Sequence, residues 1–419
     1  MTESTTTGSG PLSGLRVIEF SLLGPAAVGL HLADLGAQVI KVESPQGDYV
    51  RQMTWPIIND SSLLHWHINR GKKSITLDLR TDEGKDVFRD LVKDADAVIE
   101  AMRPGALAKR GLGFEDLRQI NPKIVFCTIS GYGMTGPYAD LPSHGIAYDT
   151  WAGLVKPDYD ENGFPAIPEH PSVGIHAGPM FGALGILAGV IRARETGEGC
   201  FLEIAQSDAA AAMDWYRSET WKAYERPEDE VTGNKADNYE RRAPGTAGMK
   251  DGVRYQIYES SDGHVLFMAS EQEFWKNFCE GVGRMDLFER WPGSKFADHA
   301  KGNLELRREL VEIFRTRTTA EWVVWSGEVN TTIAPVNTPE TLADDPQFKE
   351  RLGFMPFEGD AGAEMQPYPV KFVGEESAVP DPAPTVGEHT DQVLTDVLGY
   401  DQARIDELRA ANAFGPDGQ

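Results

Sequence analysis

Apolar positions in the first half of the chain fall into short runs separated by stretches with helical spacing. Leu15-Arg16-Val17-Ile18-Glu19-Phe20 reads as a strand, and Ala26–Ala37 places its apolar residues on one helical face, closed by Gly36. Val39-Ile40-Lys41-Val42, Ala97-Val98-Ile99-Glu100 and Lys123–Ile129 read as further strands, with a helix predicted over Gly84–Ala95. Strands alternating with helices predict a parallel sheet covered on both faces, an α/β fold. The pattern continues with a helix over Gly178–Arg194, a turn at Glu195-Thr196-Gly197-Glu198-Gly199, the strand Cys200–Ala205 and one long helix over Asp208–Trp221.

Residues 224–252 lose this periodicity and are rich in Glu, Asp, Arg, Asn, Pro and Gly, the composition of a linker. Beyond them Arg254–Ser260 and His264–Ala269 alternate around Asp262-Gly263, a hairpin signal because Asp-Gly suits the positive backbone angles of a tight turn. Helices predicted over Glu273–Val282, Leu304–Thr316 and Thr319–Glu328 complete a smaller α+β domain. Thr331–Val336 reads as another strand, and the last segment mixes strands, Pro-rich loops and a helix over Asp391–Leu398. The predicted organisation is a polar tail over 1–11, a large α/β domain from 12–223 and 331–419, and a linker with the small domain over 224–330.

Composition narrows the class of function. Of the 419 residues 41% are hydrophobic and 25% charged, as expected of a soluble globular chain with a sizeable core. The net charge of −25 disfavours nucleic acid and anionic membranes, so neither is an expected partner, and a polyanionic ligand requires a local basic pocket. Cys127, Cys200 and Cys279 are far apart and odd in number, which suggests neither disulfides nor a zinc site. No metal-ligand cluster is visible, and no Gly-x-Gly-x-x-Gly follows the first strand, so neither a metal nor a redox nucleotide is expected. No apolar run approaches the roughly 18 residues of a membrane span, and the Ser/Thr/Gly-rich start lacks a secretory pattern. A cytoplasmic location is the expectation.

Four stretches, Leu32–Asp48, Asn69–Leu79, Arg103–Gly113 and Ser130–Tyr138, resemble in order and spacing those of the CaiB/BaiF class III coenzyme A transferases, a group that also holds α-methylacyl-CoA racemases. The resemblance runs from Pro11 to about Gly399. It implies a doubly wound parallel-sheet large domain made from both chain ends, a smaller inserted α+β domain and an interlocked dimer. The implied activity is transfer of coenzyme A (CoA) between an acyl-CoA thioester and a free carboxylic acid. CoA carries a pyrophosphate and a 3′-phosphate, so a chain this acidic must gather donors locally. Arg70-Gly71-Lys72-Lys73, Arg103-Pro104-Gly105 and Lys109-Arg110 are suited to that task, making Lys72, Lys73, Arg103 and Lys109 candidate CoA ligands. The last two patches lie beyond the carboxyl end of the strand Ala97–Glu100, where ligands of open parallel sheets bind. The resemblance places Tyr132, in Ser130-Gly131-Tyr132-Gly133, along the pantetheine arm, and the loop Ser21-Leu22-Leu23-Gly24-Pro25 is shorter than the family's usual one.

In that family an aspartate carries the acyl group, following a glycine just before a helix. The matching segment here is Ser172-Val173-Gly174-Ile175-His176-Ala177-Gly178. Counting back from Gly185-Ile186-Leu187-Ala188-Gly189 places Ile175 on the aspartate, and a slip of one residue places Gly174 or His176 there. His176 is the nearby side chain with comparable chemistry, as a base or a transient acyl acceptor. Asp149, Asp158, Asp160, Glu161 and Glu169 lie close in sequence, and most of them are expected to face solvent. Ser143-His144-Gly145-Ile146-Ala147-Tyr148 resembles the racemase branch, where His144 would transfer a proton with Glu271 nearby; a helix cap near Gln272 is the other role for Glu271. Trp151, Phe164, Trp215, Tyr216 and Trp221 are candidates to line an acyl pocket.

Three functions follow from the resemblance. The first is an acyl-CoA:carboxylate CoA-transferase acting without the usual aspartate. The second is a non-catalytic partner subunit, completing a heterodimer with a catalytic paralogue instead of a homodimer. The third is an acyl-CoA racemase or epimerase using His144.

Overall fold

Alternate residues of the central strands are buried on opposite sides, as an all-parallel sheet covered on both faces requires. Ile18, Ile40, Val98 and Phe126 pack on one face with Val87, Phe88 and Leu91. Val17, Val39, Ile99 and Cys127 pack on the other with Val28, Ala183, Ile186 and Val190. The strands are β1 (Arg16–Ser21), β2 (Gln38–Glu43), β3 (Lys72–Thr76), β4 (Ala97–Ala101), β5 (Val125–Ser130) and β6 (Cys200–Ala205). All pair in parallel in the order β6-β5-β4-β1-β2-β3. This is the doubly wound order, in which the winding reverses between β1 and β4 and opens a crevice outside their carboxyl ends. The computed structural model describes residues 10–233, 239–241, 249–295, 298–355, 364–375 and 379–415.

Helices α1 (Ala27–Ala33) and α6 (Gly174–Thr196) cover one face, and α3 (Asp82–Lys93) the other. Thr81 caps α3 by accepting from the Gly84 N–H at 3.0 Å. The remaining helices around the sheet include α2 (Leu63–Asn69), α4 (Phe114–Ile120), α5 (Ala147–Trp151) and α7 (Gln206–Met213). Two predicted helices come out shorter. The helix expected over Ala26–Ala37 is α1, entered from a 3₁₀ turn over Gly24–Ala26 and closed by a turn in which the Gly36 N–H bonds the Ala33 carbonyl. The single helix expected over Asp208–Trp221 is broken at Asp214, whose φ of −116° and ψ of 42° are not helical, so Trp215–Ala223 forms a separate helix.

One sequence expectation is corrected by α6. By length and composition its 23 residues are apolar enough to cross a bilayer. Half of the apolar window is buried, and Ala183, Ile186, Val190 and Ala193 form core with the sheet, as in a core helix of a globular fold.

The chain divides into two compact units, Met1–Trp215 with Phe354–Gln419, and Tyr216–Gly353. The second boundary differs from the predicted 331, because Ile333–Pro335 pairs antiparallel with His264–Met268 and so belongs to the second unit. There Tyr255–Glu259, His264–Met268 and Ile333–Pro335 form a three-stranded sheet over a core of Phe267, Trp275, Phe278, Phe314 and Trp322. The predicted hairpin is present, but neither Asp262 nor Gly263 adopts a positive φ. Asp262 Oδ1 instead accepts from the Thr319 N–H at 2.8 Å.

Candidate active site

The segment matched to the missing aspartate forms the first turn of α6. Ile175 is half-buried and His176 is exposed there, and no carboxylate lies on the turn. The turn is set by Asp149 on α5, which is fully buried and accepts from the N–H groups of Val173 (2.9 Å) and Gly174 (2.7 Å). Asp149 therefore satisfies two donors that a helix start leaves without intrahelical partners. His170 Nε2 lies 3.3 Å from Asp149 Oδ2 without hydrogen-bond geometry. Asp158, Asp160, Glu161 and Glu169 are exposed, as expected, whereas Asp149 is not. A Cβ on Gly174 would fall 2.8 Å from Tyr148 Cβ and 3.0 Å from the Gln206 carbonyl oxygen, so only glycine lets α5 and α7 approach here. Replacing Asp149 by alanine is expected to lower stability by about 2 kcal/mol. Urea unfolding checks this, with Asp149→Asn recovering part of the loss through its remaining acceptor.

The loop after β1 meets the same turn: a Cβ at Gly24 would lie 4.0 Å from Ile175 Cβ. Before it, Leu23 has φ 58° and ψ −150°, a region essentially confined to glycine, and its N–H donates to buried Asp48 at 3.3 Å. Tyr132 lies beyond β5, its ring 6.0 Å from that of Tyr148 and 5.7 Å from that of Tyr138. With Tyr138, Trp151, Glu203 and Asp208 it lines a cavity of about 330 Å³. Of the five aromatic residues read as pocket candidates, Trp151 lines this cavity, and Phe164, Trp215, Tyr216 and Trp221 are exposed.

The basic candidates separate into two kinds. Arg103 and Lys109 follow β4 at the crevice where the winding reverses, are exposed, and have no ion-pair partner among the described residues. Lys72 is a correction, because its ammonium is completely buried. It donates to Glu19 Oε1 (3.0 Å) and Oε2 (2.9 Å), the Ala26 carbonyl (2.6 Å) and Asn69 Oδ1 (3.2 Å). With every donor engaged it has none for a phosphate. Lys73, next on β3, points to the opposite face and is half-buried. Lys41 completes the buried network, donating to the Ser21 carbonyl at 2.9 Å and to Asp48 Oδ2 at 3.1 Å. Burial, opposed by Glu19, brings Lys72 down to about 8. Burial also opposes the charge on Lys41, yet Glu19 and Asp48 together hold it above its ordinary value.

Three histidines that the chain holds far apart in sequence meet at this end of the sheet. A charge on His176, at the start of α6, would be felt at both His31 on α1 and His67 on α2. Burial foremost, then the neighbouring Arg70, holds His67 down to about 4, and burial likewise lowers His31. His67 escaped the sequence reading because α2 was not predicted, and His31 because nothing local marks a histidine inside the predicted helix Ala26–Ala37; the pair His65 and His67 was the available signal. His144 is exposed just before α5, and its ring has no hydrogen-bond partner among the described residues. Glu271 occupies the N-cap position of the helix Gln272–Gly281, but its carboxylate makes no capping bond. His144 and Glu271 belong to different units.

A family model described as CoA-transferase family III matches residues 12–390. The chain belongs to CoA-transferase family III. This family III chain is 29% identical over 411 residues to the human succinyl-CoA:glutarate CoA-transferase, covering 96% of this chain and 89% of that protein. It is 31% identical over 405 residues to the succinate–glutarate CoA-transferase of Agrobacterium fabrum, covering 92% and 96%. A crystal structure of a CaiB/BaiF family protein from Brucella suis superposes with a TM-score of 0.73 at 26% identity, over 93% of this chain and 99% of that one. The family uses CoA thioesters as substrates, and the family III assignment makes the chain an enzyme of that class by descent. Among the described residues no group of three or more His, Cys, Asp or Glu side chains is arranged to hold a metal.

Proposed function

We propose that the chain transfers CoA from an acyl-CoA thioester to a free carboxylic acid, with His176 as the acyl carrier. The observation that supports this reading most is the placement of an exposed imidazole, without a carboxylate, on the first turn of α6. A neutral imidazole nitrogen attacks the thioester carbonyl, the C–S bond breaks, and CoA leaves as thiolate. The acceptor carboxylate then attacks the acyl-imidazole, freeing His176 and forming a mixed anhydride. The thiolate closes the cycle by attacking the acceptor's carbonyl, releasing the donor acid and the new thioester. Arg103 and Lys109 supply donors for the CoA phosphates, while Tyr132 flanks the pantetheine arm.

Replacing Arg103 and Lys109 together by glutamine is expected to raise the KM for acyl-CoA 10- to 100-fold and to leave kcat within about threefold. The salt dependence of KM should weaken in parallel. Because both side chains are exposed and have no ion-pair partner among the described residues, the melting temperature should not move. An unchanged KM in the double variant would place the CoA phosphates elsewhere.

The partner-subunit reading draws on a different observation, that the buried carboxylate at the start of α6 is committed to backbone N–H groups. If the purified chain binds acyl-CoA without turnover, and turnover appears on adding a catalytic paralogue, that reading prevails. In either case a second chain is part of the proposal. Met180, Phe181, Leu184 and Ile191 leave an exposed apolar strip on α6, which a dimer interface would cover.

A further inference from the structure

His67 lies beside a cavity of about 520 Å³ whose walls are mainly apolar, formed by Trp55, Leu63, Leu64, Phe354 and Met365. Its ring orientation is fixed from behind. Arg70 is buried and grips Asp34 with two hydrogen bonds, Nε to Oδ1 at 2.9 Å and Nη2 to Oδ2 at 2.7 Å. The remaining Arg70 nitrogen, Nη1, donates to His67 Nδ1 at 3.2 Å. A guanidinium has no lone pair to offer, so His67 Nδ1 is the acceptor and the ring proton resides on Nε2. The depressed pKa of His67 keeps the imidazole neutral near pH 7, with one oriented N–H. His176 is the next histidine in this cluster, near enough for its charge to be felt at His67.

The lining also states what the cavity does not offer. No lysine or arginine side chain is among its described lining residues, and Glu364 stands on its wall. Among the lining residues His67 offers a carboxylate a hydrogen-bond donor at Nε2, and the Arg70 cation is bonded to the other ring nitrogen. A second carboxylate at the far end of a short dicarboxylic acid would lie in a mainly apolar cavity, without a cation to offset its desolvation. Thr54 and Gln366 are the other neutral polar lining residues there, and Glu364 adds a like charge.

We propose that this cavity is the subsite for the free carboxylic acid, that His67 Nε2–H binds its carboxylate, and that the apolar wall selects a monocarboxylic acid with an apolar tail over a short dicarboxylic acid. The inference rests on the reading of the chain as a CoA-transferase for its purpose, but not for its test. The CoA-transferases of similar sequence described above are named for dicarboxylic acids, so the chain would differ from them in its acceptor.

Binding of hexanoate and of succinate to the full-length protein, each without CoA, is measured by isothermal titration calorimetry. Hexanoate is expected to bind at least tenfold more tightly than succinate. His67→Ala is expected to weaken hexanoate at least tenfold, and His67→Gln, which keeps an N–H near the same place, to recover most of that loss. Leu64→Arg is expected to reverse the preference toward succinate by supplying the missing charge. Succinate binding as tightly as hexanoate, or hexanoate binding unchanged in His67→Ala, would overturn the proposal. Should His67→Ala not fold, the Leu64→Arg reversal decides, and its absence overturns the proposal equally. Hexanoate binding that depends on His67 in a protein with no transfer activity would refute the transferase reading and leave the subsite standing.

Discussion

His176→Ala is expected to lose at least 10³-fold in the rate of CoA transfer while acyl-CoA binding stays within about threefold. The imidazole is exposed, and nothing in the described fold rests on it, so the loss should arise without a change in melting temperature. His176→Asp supplies the sharper comparison. It places a carboxylate on the first turn of α6, where Asp149 already holds the backbone in place. That variant should form an acyl-enzyme that hydroxylamine converts to a hydroxamate at position 176, detectable by peptide mass spectrometry. Full activity in His176→Ala would remove the imidazole from the chemistry and assign the acyl carrier to another side chain.

The second large effect concerns stability. Lys72→Ala is expected to lower the unfolding free energy by about 3–5 kcal/mol, because it strands the buried Glu19 carboxylate without its main counter-charge. Lys41 lies 3.5 Å from Glu19 Oε1 and compensates only in part, since its ammonium is also engaged by Asp48. The double variant Glu19→Gln with Lys72→Met should be far closer to wild type than the sum of its parts, since neither residue leaves a bare charge. Urea midpoints of wild type, Lys72→Ala, Glu19→Gln, Lys72→Met and the double variant test this. A cost below about 1 kcal/mol for Lys72→Ala would mean that Glu19 is protonated or hydrated in the fold. The prediction also separates structure from ligand binding, because at temperatures where the variant remains folded its KM for acyl-CoA should match wild type.

How far the chain could be read before its structure depended on whether a signal was local. Val17, Ile18, Val39, Ile40, Val98 and Ile99 are continuous apolar pairs within short strands, which made the parallel sheet visible. The strand Cys200–Ala205 and the helix Thr319–Glu328 were legible to the residue, and in the structure Thr318 and Glu321 cap that helix. Lys72 misled because a lysine beside Gly71 and Arg70 looks like a phosphate loop. Its burial is decided by Glu19, on a strand two places away in the sheet and 53 residues earlier. Asp149 was equally illegible, since its role comes from Val173 and Gly174, 24 and 25 residues later. Ile333–Pro335 was placed in the wrong unit because its partner, His264–Met268, is known only from pairing. The histidine cluster needed three helices to converge, and no spacing rule encodes such a meeting.

The ammonium of Lys72 has a bearing on the order in which the protein is made. It joins β1 through Glu19, the approach to α1 through Ala26, and the end of α2 through Asn69. A Cβ on Gly29 would lie 1.8 Å from Glu19 Oε2, so α1 docks directly over this carboxylate. A nascent chain that has emerged only as far as Gly71 holds all these pieces but has only Lys41, shared with Asp48, to offset Glu19. The opening βα unit is therefore expected to reach its final packing only once β3 arrives, leaving an unfinished edge on a chain stalled before that point.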